Sequence, residues 1–121
     1  MNRERSLAAD HGAATVLASF ALLGLLAVVL LLVQVGTAVS ARHAAQSAAD
    51  LAALAAAGAL DRGTDSACAA AETIAARTRA RVSECEVREW DVVVTVTART
   101  ALPSFGGKEV RAIARAGPAD A

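Results

Sequence analysis

Three hydrophobic periods succeed one another along this chain. From Ala13 to Val33 the sequence AATVLASFALLGLLAVVLLLV carries no charge and no polar stripe. A helix of that length spans about 30 Å, the thickness of a bilayer's hydrocarbon core. A buried soluble helix would have to hide every face, and residues 42 to 121 supply too little protein for that. A transmembrane helix is therefore predicted. A signal peptide is the alternative, because TAVSA at 37–41 places small residues for cleavage after Ala41. The apolar stretch of a signal peptide is shorter, about 7–15 residues.

The second period is helical and rich in alanine. Gln34, Gly36, Thr37 and Ser40 mark an interfacial stretch without proline, so the helix is expected to continue. His43, Gln46, Ser47 and Asp50 form a polar stripe at spacings of three and four. Ala44, Ala48, Leu51, Ala55 and Gly58 are read as the apolar face. A helix from Gly12 to Leu60 would be about 73 Å long, so its second half should stand outside the membrane. The alanines combine high helix propensity with a surface that a backbone or a small sheet can approach closely. Ala48, Ala49, Asp50, Ala52, Ala53, Ala55, Ala56 and Ala57 form the candidate helix-packing motif. The plain alternative is a self-contained helix that propensity alone explains.

Gly63 then suits a turn, with Thr64, Asp65 or Ser66 as candidate caps for a second helix. Arg77, Arg79 and Arg81 are expected to crowd its end and complement the dipole, with a phosphate or lipid site as the rival reading. From Val82 the period falls to two. RVSECEV reads as one strand and DVVVTVTART as another, with a turn near Arg88 to Trp90. In the second, Val92, Val94, Val96 and Ala98 share a face. Leu102 to Gly107 reads as a loop, and KEVRAIARA sets Val110, Ala112 and Ala114 against Arg111, Ile113 and Arg115. A three-stranded antiparallel meander with one apolar face needs a cover, and the two helices are the candidates.

Composition and charge narrow the function. Twelve basic residues balance twelve acidic ones in 121, and Phe20, Trp90 and Phe105 are the only aromatics. Neither a global attraction to nucleic acid nor a base-stacking platform is expected. Arg3 and Arg5 precede the apolar run, which places the N-terminal tail in the cytoplasm. Cys68 and Cys85, the only cysteines, both follow it, and this suits an oxidising compartment. A Cys68–Cys85 disulfide would close a loop worth about 3 kcal/mol, two free thiols being the alternative. With only His11 and His43 available, no metal site is expected. No nucleophile elbow, phosphate loop, CxxC or HExxH is present, so no enzyme, cofactor or small-molecule substrate is expected.

The stretch HGAATVLASFALLGLLAVVLLLVQVGTAVSARHAAQSAADLAALAAAGAL resembles the N-terminal segment of TadE/TadG-like proteins of Flp (tight-adherence) pilus assembly. The likeness lies in a charged residue and glycine before the membrane helix, and in AQSAADLAALAAA after it. It covers about residues 10 to 60. The resemblance implies a small bitopic minor pilin or pseudopilin, with other pilin-like or secretion-apparatus subunits as partners. It also implies a processing site at Gly12 and Ala13, and two departures from the family pattern matter. Filament subunits carry glutamate at the fifth mature position, where this chain has Leu17, and a buried new amino terminus lacks its countercharge. Gln34 replaces an acid found in many relatives.

The expected protein is thus α+β and pilin-like: tail 1–12, transmembrane helix 13–33, extracytoplasmic helix 34–60, and a helix-plus-meander domain 61–121. Its expected role is non-catalytic and anchored in the cell membrane. The alternative is an envelope-anchored or secreted small binding domain unrelated to pili.

Overall fold

A computed structural model describes residues 2–99 and 109–119, with side chains from residue 10 onward. In chain order the elements are α1 (Asn2–Gly58), a 3-10 turn (Leu60–Arg62), α2 (Thr64–Arg77), β1 (Ala80–Arg88), β2 (Asp91–Arg99) and β3 (Glu109–Ala116). This is the predicted α+β order. Two compact units divide it, residues 1–37 and residues 38–121. The expected loop at Leu102 to Gly107 and the side chains of Arg3 and Arg5 lie outside the described residues.

In the first unit the helix begins at Asn2, earlier than the expected Gly12. The residues from Asn2 to His11 include no glycine or proline to stop it. The large apolar side chains from Val16 to Val35 are all exposed. The few hydroxyls here turn back onto the helix: Thr15 donates to the His11 carbonyl and Ser19 to the Thr15 carbonyl, both at 2.8 Å. Such bonding satisfies a polar group without water.

In the second unit the sheet is a meander of order β1-β2-β3, antiparallel throughout. Its inner face presents Val92, Val94 and Val96 from the central strand, with Ala112 and Ala114 from β3, all buried. These pack in one core with Ala67, Ala71 and Ala75 of α2 and with the alanines of α1. Both helices cover the sheet, as a one-sided apolar sheet requires. Alternation alone does not describe β1. A bulge at Ser83 shifts the register between Val82 and Glu84, so Val82, Cys85 and Val87 all reach the inner side.

Three local expectations are corrected. The buried face of α1 is Ala45, Ala48, Ala49, Ala52, Ala53 and Ala56, whereas Ala44, Leu51 and Gly58 are exposed and Ala55 half-buried. The true face lies about a third of a turn from the predicted one. Hydrophobicity alone would turn leucine inward, but the buried positions here are all alanine, and Leu51 and Leu54 are turned out at 50% and 62% exposure. Second, α2 starts at Thr64 behind Gly63 (φ 107°), with no side-chain cap. That φ is readily reached by glycine. Third, only Arg77 ends α2; Arg79 sits beyond it at φ 58°, and Arg81 belongs to β1.

Candidate functional site

The small side chains of α1 decide how the second unit is built. Ala49, Ala52 and Ala56 are fully buried, and the valines of β2 lie in the same core. Alanine removes little apolar area from water, but it lets elements approach closely, so contact is gained by proximity rather than by side-chain bulk. Of the candidate motif, Ala48, Ala49, Ala52, Ala53 and Ala56 are used inside the chain. Ala55 and Ala57 are half-buried, and Asp50 is exposed. Gln46 joins the polar stripe to the sheet: its Nε2 donates to Asp50 Oδ1 at 3.0 Å and to the Ile113 carbonyl at 3.2 Å.

Cys68 of α2 and Cys85 of β1 are joined by a disulfide, with Cα atoms 5.9 Å apart. The bridge ties the second helix to the edge strand. The neighbouring bulge is closed by the Ser83 hydroxyl, which donates to the Thr95 carbonyl at 3.2 Å.

The first unit holds one helix near the N-terminus long and apolar enough to cross a membrane. Gly12 and Ala13, the processing candidates, both lie within α1 and are exposed. Leu17 also stands exposed on this helix.

The two ends of the sheet differ in charge. At the β1–β2 hairpin, Glu89 occupies the first turn position at φ 56°, and Trp90 beside it is 70% exposed. Arg88 bonds Glu86 at 2.9 Å, which holds the Glu86 carboxyl below its ordinary range and raises Arg88. Arg115 Nε donates to Asp91 Oδ2 at 2.8 Å. At the other end Arg81, Thr97 and Arg111 form one cross-strand row, and Arg99 pairs with Glu109. Next to that row, a cleft brings Val39, Arg42, His43 and Gln46 of α1 against Arg111 and Ile113. Sequence reading missed this arrangement because its arginines are scattered from position 42 to position 111. Strand register was the missing signal.

Among the described residues, no group of three or more His, Cys, Asp or Glu side chains is placed to hold a metal ion. What the arrangement offers is surface: an exposed apolar helix, an outward leucine face and a polarised sheet.

Among the described residues, one helix of membrane-spanning length and a disulfide-tied α+β unit define the class of architecture. Residues 12–77, more than half of the chain, match the family described as putative Flp pilus-assembly TadE/G-like, and the chain belongs to that family. The protein described as "Apoptosis inhibitor Rv3654c" of Mycobacterium tuberculosis is 51% identical over 53 residues, 44% of this chain. The aligned stretch spans 63% of that relative's length. No solved structure matches.

Proposed function

We infer that this chain is a non-catalytic, single-span subunit of the minor-pilin or pseudopilin kind, acting in Flp-type pilus assembly or an associated secretion apparatus. The observation that carries the reading is the family match, which lies on the exposed apolar helix, the alanine helix and α2. The N-terminus is cytoplasmic by the arginine rule, and the disulfide-tied unit lies outside, where a cystine persists. The chain stays uncleaved at Gly12, since Leu17 supplies no countercharge for a buried new amino terminus. Partners are other pilin-like or secretion-apparatus membrane subunits. They pack against the exposed face of residues 13–33 and the outward Leu51 and Leu54, because most of the buried alanines already cover the chain's own sheet.

Photocrosslinking in native membranes tests this. Probes at Leu23, Leu30, Leu51 and Leu54 should trap a membrane subunit, whereas a probe at Trp90 should not. Absence of adducts at all four positions would defeat the reading.

A second reading has one observation in its favour, the relative named as an apoptosis inhibitor. On it, the unit after Ala41 is released and binds a partner unrelated to pili. A secreted form beginning at Arg42 on N-terminal sequencing would establish that reading over the first.

A further inference from the structure

The second unit carries a basic end, at the place where the chain enters it. Arg42 lies four residues past the boundary at Ala38 and shares a cleft with Arg111. Through Thr97, Arg111 stands in one row with Arg81 on the outer face of the sheet. Arg79 and Arg99 line the adjoining hollow with Arg81. Five arginines therefore face two glutamates, Arg99 lying 4.0 Å from Glu109 and Arg111 3.6 Å from Glu84. Among the described residues, Arg42, Arg79 and Arg81 have no carboxylate partner. The hairpin end is the reverse: Arg88 and Arg115 are each paired, and Glu89 is in excess. The chain is neutral as a whole, so this is segregation and not surplus.

Two exposed apolar side chains accompany the basic end, Val39 at 50% and Ile113 at 58%. Val39 comes six residues after Val33, the last of the apolar run, so the covalent chain keeps them within about 20 Å. Guanidinium groups beside small apolar contacts at the edge of a membrane-length segment match the chemistry of lipid phosphates above acyl chains. We propose that Arg42, Arg79, Arg81 and Arg111 seat this end of the unit on the phosphates of anionic phospholipid headgroups. The contact orients the unit on the bilayer and leaves Trp90 at the end remote from it.

The proposal rests on the membrane anchorage inferred above. The test reconstitutes the full chain in nanodiscs of mixed phosphatidylcholine and phosphatidylglycerol and counts retained lipids by native mass spectrometry. Wild type should retain phosphatidylglycerol preferentially. Arg42→Gln with Arg111→Gln should lower that preference by about fivefold per arginine removed. Arg62→Gln with Arg88→Gln, a matched loss of two charges away from this end, should leave it unchanged. Equal retention by wild type and the double variant would overturn the proposal and leave the arginines to an acidic protein partner. Binding of inorganic phosphate alone, seen as shifts of the Arg79 and Arg81 resonances in phosphatidylcholine discs, would also overturn it in favour of a soluble anion. A chain that fails to float with vesicles would remove the anchorage reading itself, and this proposal with it.

Discussion

The side-chain amide of Gln46 donates to the main-chain carbonyl of Ile113 at 3.2 Å, joining α1 to the outer strand of the sheet. Sixty-seven positions separate the two residues. The bond covers part of a strand edge that would otherwise be open to pairing with another chain. Gln46→Ala should lower stability by about 0.5–1.5 kcal/mol, at the low end because the site is exposed. Gln46→Glu should cost more, since it sets a second carboxylate one turn from Asp50. Thermal melts of the reconstituted chain distinguish the two.

Which face of α1 is inward can be read from bulk. Ala49→Leu or Ala52→Leu should destabilise by about 1–3 kcal/mol, because these alanines are fully buried and the sheet has no room for a longer side chain. Ala44→Leu, on the exposed face, should stay within about 0.5 kcal/mol of wild type. Equal losses at Ala44 and Ala49, measured by denaturant titration, would contradict the observed face.

Cys68→Ala with Cys85→Ala should cost about 3 kcal/mol, as expected for a loop of this length in the unfolded chain. Thiol reagents should label the reduced wild type, in which Cys68 and Cys85 are half-buried, and they should not label the oxidised protein. Comparing melts with and without reductant measures the difference.

Two positions at the hairpin end of β2 respond differently to glycine chemistry. A Cβ at Gly117 would collide with the Asp91 carboxylate and crowd the Trp90 carbonyl. Gly117→Ala should therefore disturb the Asp91–Arg115 pair and cost about 1 kcal/mol. At Glu89, whose φ is 56°, glycine removes a steric penalty of about 1–2 kcal/mol against its own entropy cost. Glu89→Gly should raise the melting temperature slightly.

The Arg88 hydrogen bond depresses the Glu86 carboxyl in the folded state. A lowered folded value means that stability from this pair is present above the unfolded glutamate's range and is lost as pH falls through the folded one. Carbon-13 titration should show Glu86 ionising below an ordinary glutamate. Arg88→Gln should return it upward.

Much of this protein is decided locally and is legible in the sequence. The uninterrupted apolar run, the alanine helix, the meander and the inward Val92, Val94 and Val96 all follow from periods of 3.6 and 2, which the backbone imposes residue by residue. The family resemblance also lay in contiguous residues. Three features did not. The rotation of α1 depends on what lies against it: a sheet in close contact accepts Ala49 and Ala52 and excludes Leu51, although hydrophobicity ranks leucine higher. The bulge at Ser83 breaks the period of β1, and only pairing with β2 reveals that Val82 and Cys85 share a side. The basic end is assembled from Arg42, Arg81 and Arg111, which meet through strand register and helix docking rather than along the chain. Local sequence sets which elements form; the distance at which they pack decides which faces they present.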